Sequence, residues 1–529
     1  MIVGAGFSGI GLGIELRKAG ITDFAILEAA DDVGGVWHHN RYPGVAVDIP
    51  STTYSYSFEP NPYWSRLFAP GDELAAYANH CADKYGVSPH VHPRTRVEAA
   101  RYDGRNHRWV VETSRGILTA RFLVSAVGPL DQPKYPDIPG LGTFDGPTVH
   151  TARWDPHVAL AGKRIGVIGT GASSLQLIPE IAPAAERLTV FQRTPIWVIP
   201  KPNTDISPRM RELFAHAPVT QRVLRAVTSL LAEFVMTVGI AYHMRVPLFV
   251  RSMERTCLRH LRKQVADPEV RAKLTPAYAL GCKRPSFSNT YLPAFDRANV
   301  ELVTERILRV TTEGIVTAVA DTAAGTVTET HRELDVLVLA TGFKTMQLGV
   351  VPPFPVRGTA GVDAGQWWDE HGYQTYEGIS TPLLPNFWLM NGPWSAAGPS
   401  WFSVIESGSR HIARCLNEAR RRGATQVVVR QSAHDAYMRS MRAKARHTAF
   451  AQPSCIDSNS YYFDRRGEAP FVRPVSGPGL RRASRTFDLD HYEYTRSEPA
   501  SSTTSRYTGR TRASNLWFQT LSPGTACND

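Results

Sequence analysis

The residues with the clearest chemical potential lie at the start of the chain. Gly4-Ala5-Gly6-Phe7-Ser8-Gly9 follows the apolar pair Ile2-Val3 and opens a helical pattern that runs to Gly20. Phe24 to Leu27 then reads as a second strand, and it ends in Glu28, 24 residues after Gly4. Each residue type has a task in holding a dinucleotide. Gly4 makes the turn, Gly6 lets backbone approach a pyrophosphate, and Gly9 lets the helix pack close to the strand. The helix N-terminus, at Phe7 and Ser8, faces the negative charge, and Glu28 accepts hydrogen bonds from a ribose diol. A lone GxGxxG is weak, but one placed between strand and helix with a distal acid is specific.

A second loop repeats the pattern with different chemistry. Arg164 to Ile168 reads as a strand, and Gly169-Thr170-Gly171-Ala172-Ser173-Ser174 is the loop, with Gln176 on the helix that follows. Ser174 replaces the third glycine and is small enough to keep the packing close. The next strand ends in Gln192-Arg193-Thr194 and carries no acid. An acid there suits a free 2′-hydroxyl, whereas an arginine suits a 2′-phosphate. The first nucleotide is therefore expected to be FAD and the second NADPH, and two unlike sites in one chain imply electron transfer between cofactors.

Other stretches are ambiguous by themselves. Gly34-Gly35-Val36-Trp37, Tyr42-Pro43-Gly44, Asp48 and Tyr54 fit a surface loop, or a wall that positions a redox ring. Lys283-Arg284 after Gly281 fits a solvated turn as well as an anion site. Phe144-x-Gly146-x-x-x-His150-x-x-x-Trp154-Asp155 fits a connector, but it stands between the two glycine loops.

The elements that must carry these residues bound the fold. A chain of 529 residues with 43% hydrophobic content forms several sizeable cores. The net charge of +11 suits phosphate ligands, and no nucleic-acid motif accompanies it. The six cysteines form no CxxC and no zinc spacing, so no metal is expected and all are read as free thiols. The expected location is cytoplasmic. Met1 leads straight into the glycine loop, which suggests a start inside the first strand. Ala226 to Tyr242 is the longest apolar run, interrupted by Glu233. It is expected to be a buried helix or the lining of a substrate entrance; it is read as too short to span a bilayer, and peripheral membrane contact stays open. A hairpin is expected over Val97 to Thr113, a helical insertion over about 202–275, and a helix over Phe402 to Arg422. Two apolar strands, Phe122 to Val127 and Leu334 to Leu339, deliver Gly128 and Gly342 towards a cofactor. Of Trp367, Trp368, Trp388, Trp394 and Trp401, most are assigned to core and one or two to a pocket.

With these residues assembled, residues 1 to about 495 resemble the type I Baeyer–Villiger monooxygenases, class B flavoproteins. The stretch from Phe144 to Asp155 matches that family's fingerprint. The Gly34-Gly35-x-Trp37 and Tyr42-Pro43-Gly44 stretches match a second signature with Asp48. The resemblance implies an α/β architecture of two Rossmann-like domains. FAD would bind to 1–140 with a return over 341–496, and NADPH to 141–340. Beyond the resemblance, 497–529 is rich in Ser, Thr, Arg and Gly without periodicity and is expected to be a disordered tail. It implies Arg284 as the catalytic arginine, oriented by Asp48, and Lys283 with Arg193 and Thr194 around the NADPH phosphate. Tyr54, Gly35, Val36, Trp37 and the backbone at Val97 would contact FAD, and His150 would couple domain movements. The implied reaction is oxygen insertion next to a ketone carbonyl by O2 and NADPH, through a flavin C4a-peroxide held by Arg284. A flavin enzyme acting mainly on sulfur or nitrogen is the alternative. A disulfide reductase is disfavoured because it needs a CxxC.

Overall fold

The computed structural model describes residues 1–202, 204–321 and 326–497. The expected tail falls almost wholly outside the described residues. Two parallel five-stranded sheets organise the rest. In the first, the strand order is Phe387–Leu389, Leu123–Ser125, Ile2–Val3, Ile26–Leu27, Val91–His92. In the second it is Val300–Val303, Arg187–Phe191, Arg164–Ile168, Val336–Leu339, Thr148–His150. Both faces of the second sheet are covered, so its strands are continuous apolar runs such as Val336-Leu337-Val338-Leu339, buried at every residue.

The two sheets carry the same device at the glycine loop. Gly4 has φ +101°, and a Cβ there would sit 2.9 Å from the Ala126 carbonyl oxygen. Gly169 has φ +109°, and a Cβ there would sit 2.5 Å from the Ala340 carbonyl oxygen. Each loop therefore turns in the left-handed region against the end of the neighbouring strand, where only glycine fits. Ser174 shows how the departure is tolerated: its Oγ donates to the Gly169 carbonyl at 2.7 Å. At the matching place in the first loop, a Cβ on Gly9 would lie 1.9 Å from the Gly4 oxygen.

The strands Val97–Asp103, Arg108–Thr113 and Gly116–Ala120 form an antiparallel meander, one strand more than the expected hairpin. The return helix Trp401–Arg422 buries Phe402, Ile405, Ile412 and Leu416. It packs on the helix Phe7–Lys18, where a Cβ on Gly11 would meet Ile405 at 2.7 Å. Arg420 to Arg422 lie in its last turn and Gly423 ends it with φ +62°, as the helix dipole and the left-handed cap favour.

Two expectations are corrected here. Cys282 and Cys455 form a disulfide across 173 residues, so the six cysteines are not all free; Cys81, Cys257 and Cys415 are buried free thiols. Sequence spacing cannot find this pair, because only the fold brings the two segments together. The apolar run is not a wholly buried helix: its burial is concentrated at the C-terminal end, around Thr237 to Ala241, where it borders a cavity. Pro218–Ala241 is a 24-residue helix, long and apolar enough to cross a membrane by length and composition, with most of its surface outside the protein core.

Candidate functional site

A cavity of about 930 Å³ runs between the two sheets. Gly4, Gly6, Phe7 and Ser8 line it from the first loop, and Glu28 from the end of the second strand. Gly35, Val36, Trp37, Asp48, Tyr54 and Val97 continue the wall. From the second half come Gly171, Ala172, Ser173, Gln176 and Arg284. Gly9, Gly169 and Ser174 shape the loops, while Thr170 donates its hydroxyl to the Thr194 carbonyl at 3.1 Å.

The cavity fits a dinucleotide by the chemistry of its donors. The helices Phe7–Lys18 and Ala172–Ile181 start at Gly6 and Gly171, with no side-chain cap and no acid in the first turn. Their free N–H groups and dipoles are left for a phosphate. Glu28 is braced by the amides of Ala5 at 2.6 Å and Ala30 at 2.8 Å, which aim its carboxylate. The Trp37 indole N–H donates to the Tyr54 hydroxyl at 3.2 Å, and burial pushes the Tyr54 phenol up to about 12.

Asp48 and Arg284 meet at the far end. Burial alone would raise the Asp48 carboxyl, but the adjacent guanidinium outweighs it and holds the group below its ordinary value. Burial acts to lower Arg284, and Asp48 outweighs that in turn, so the pair is ionised throughout the working range of pH. Arg284 also lines a second, smaller cavity of about 80 Å³, with Met236, Thr237, Ile240, Trp401 and Tyr462. It stands on the wall shared by the two spaces.

Lys283 and Arg193 form a pair of cations with no carboxylate partner among the described residues. Burial first, and Arg193 second, lower the Lys283 ammonium to about 8. A buried ammonium held beside a guanidinium with no carboxylate to offset them marks a place for a multiply charged anion. The Thr194 hydroxyl accepts from Asn459 Nδ2 at 3.1 Å, so the C-terminal segment reaches this corner.

The two halves are braced where the signatures lie. Tyr42 donates its hydroxyl to Gln176 Oε1 at 2.9 Å, and Gln176 Nε2 donates to the Ala46 carbonyl at 2.9 Å. Gly44, at φ +80°, leaves no room for a Cβ, which would lie 2.6 Å from the Gln176 carbonyl oxygen. Gly146 is needed for a similar reason: a Cβ there would sit 2.4 Å from the Asp335 oxygen. His150 ends the edge strand of the second sheet. The Ala152 N–H donates to its Nδ1 at 3.0 Å, so the ring proton resides on Nε2, 3.4 Å from the Thr341 hydroxyl. Burial and then Arg153 lower this imidazole to about 4, so it is neutral. Phe144 packs on the small core beside this sheet, Trp154 on its main core, and Asp155 accepts from the His157 amide at 2.9 Å.

Sequence reading missed Asn391 and the disulfide, while Tyr461, which the resemblance put roughly where relatives carry a tryptophan near the nicotinamide, lines the large cavity. Asn391 follows the buried strand Phe387–Leu389, donates to Ser8 Oγ at 2.8 Å, and lines the large cavity with a buried, unpartnered Oδ1. An Asn-Gly pair after an apolar strand was the available signal. Of the five tryptophans, Trp368, Trp388 and Trp394 are core, and Trp401 lines both cavities.

Residues 1–237 match the family model of the pyridine nucleotide-disulphide oxidoreductases. A Baeyer–Villiger monooxygenase of Streptomyces coelicolor is 37% identical over 501 residues, 94% of this chain and 93% of the relative. Another, of Pseudomonas aeruginosa, is 35% identical over 507 residues, 93% of this chain and 91% of that one. The crystal structure of OTEMO in complex with FAD and NADP superposes with TM-score 0.80 at 28% identity, covering 93% of this chain and 98% of that chain.

Proposed function

This chain belongs to the Baeyer–Villiger monooxygenases, and we propose that its site inserts one oxygen atom of O2 next to the carbonyl of a ketone. It is an FAD-dependent NADPH monooxygenase. The balance is ketone, O2, NADPH and H⁺ giving ester or lactone, water and NADP⁺. FAD, when bound, supplies the passage of electrons from NADPH and the activation of O2.

The protein's own residues bind, orient and stabilise charge. We assign 1–140 with 341–496 to the FAD half and 141–340 to the NADPH half. The first loop and Glu28 would hold the FAD pyrophosphate and ribose, with Trp37, Tyr54 and the Val97 backbone along its length. The second loop would hold the NADPH pyrophosphate, and Lys283 with Arg193 its 2′-phosphate. His150, neutral at the junction of the edge strand, Thr341 and Lys134, would couple the two halves.

The observation that carries the reading is Arg284, ionised and standing on the wall between the two cavities. Asp48 engages the Nε and one Nη2 donor, and the remaining Nη1 side of the guanidinium is available to stabilise an oxygen anion where a ketone is attacked. Sulfur and nitrogen oxidation call for a protonated, electrophilic oxygen, which a fixed guanidinium disfavours. A NADPH-dependent site of this kind suits a cytoplasmic location.

The test is a panel of ketones incubated with the FAD-loaded protein, NADPH and ¹⁸O2. Esters or lactones carrying one labelled oxygen are expected. NADPH consumption that yields only hydrogen peroxide, or oxygen transfer confined to sulfides and amines, would overturn the proposal.

A further inference from the structure

The helix Pro218–Ala241 is amphipathic in the reverse sense. Six of its apolar side chains point outward: Val219, Val223, Val227, Leu230, Leu231 and Phe234 are between 48% and 64% exposed. Their spacing of three and four residues makes one continuous stripe, about 22 Å long at the helical rise. Four of its polar side chains point inward and are tied to the protein. Gln221 donates to the Asn61 carbonyl at 2.5 Å, and Arg225 to the Thr52 carbonyl at 2.6 Å and to Ser55 Oγ at 2.8 Å. The Thr228 hydroxyl lies 2.8 Å from that of Thr53, and Glu233 Oε1 accepts from the Gly477 amide at 2.8 Å. A helix of a protein bathed only in water has the opposite arrangement.

The inward bonds decide how this helix is used. It cannot stand across a bilayer without breaking them, so it lies flat on the protein with the stripe outward. The stripe is extended by Leu248, 79% exposed, on the next helix, whose Phe249 ring approaches that of Phe234 with centroids 6.4 Å apart. Arg222, Arg245 and Arg251 are exposed beside it and have no carboxylate partner among the described residues. Residues 206–264 contain ten Lys and Arg against three Asp and Glu, a surplus of seven within the chain's net +11.

We propose that this face docks on an anionic lipid surface, with the stripe at the depth of the upper acyl chains and the arginines at the headgroups. A second copy of the chain is the weaker occupant, because a two-fold contact would press together two faces that each carry a surplus of positive charge. The inner side of the continuing helix, at Met236, Thr237 and Ile240, lines the smaller cavity with Arg284, so docking sets that cavity one helix thickness from the lipid. The proposal stands on surface geometry and does not depend on the reaction assigned above.

Flotation of the full-length, FAD-loaded protein with vesicles tests it. The expected result is association with vesicles of phosphatidylcholine and phosphatidylglycerol. It should weaken at least about tenfold with phosphatidylcholine alone, with high salt, or in the double variant Leu230→Glu, Leu231→Glu. Unchanged FAD content and NADPH oxidation of that variant would show that it is folded. Absence of the wild-type protein from the mixed vesicles, or equal flotation of the variant, would overturn the proposal. So would a lipid-free dimer that the double variant converts to monomer, which would assign the face to a second copy.

Discussion

Asp48 and Arg284 lie 236 residues apart in the chain, and they meet in a two-point ion pair. Arg284 Nε donates to Oδ2 at 2.6 Å and Nη2 to Oδ1 at 2.9 Å. Both side chains are about a quarter exposed. Such a fork fixes the plane of the guanidinium as well as its charge, which a lysine in its place would not do.

Arg284→Ala is expected to lose ketone oxygenation by roughly 10²–10³-fold, the range for removal of one oxyanion donor. NADPH consumption should persist, so the ratio of ester formed to NADPH consumed falls. Asp48→Ala keeps the cation but frees its orientation, and should fall between the wild type and Arg284→Ala on the same ratio. An Arg284→Ala protein that retains full ester yield would remove this arginine from the reaction.

Lys283 gives a pH-dependent expectation. Its ammonium is lowered to about 8 in the free protein, so the cation is present below that pH and lost above it. The KM for NADPH should therefore rise as pH passes upward through about 8, while the KM for NADH, which lacks the 2′-phosphate, stays flatter. Lys283→Met should show a high KM for NADPH at every pH, by about tenfold in its neutral range. A wild-type KM that does not change between pH 7 and pH 9 contradicts the assignment of Lys283 to the phosphate.

His150 bears on stability. Its imidazole is lowered to about 4 in the fold, against 6.5 for the ordinary group. Between those values the unfolded chain binds the proton and the native one does not, so stability is full above about pH 6.5 and falls as pH drops towards 4. The contribution is roughly 3 kcal/mol, at 1.36 kcal/mol per pH unit. His150→Gln should flatten the pH dependence of the urea midpoint between pH 7.5 and pH 5 relative to wild type. Identical slopes would mean that His150 does not titrate across this window.

The sequence by itself determined the residue types and their local order. Gly4 and Gly169 announce their loops because backbone turns at positive φ leave glycine little competition. Glu28 and Arg193 point to two different nucleotides in the sequence because ribose and phosphate call for opposite charges; the proposed assignment rests on that contrast. Strands such as Val336–Leu339 announce themselves through uninterrupted apolar runs. Tertiary structure decided everything that depends on distant segments meeting. The Asp48–Arg284 fork, the Cys282–Cys455 bond and the Gln176 brace under Gly44 join residues with no spacing in common, and hydrophobic periodicity does not report which sheet a loop will face. The outward stripe of Pro218–Ala241 shows the same limit: composition indicated an apolar helix, but its burial was settled by Thr53, Asn61 and Gly477, which bind its polar side and turn the other away.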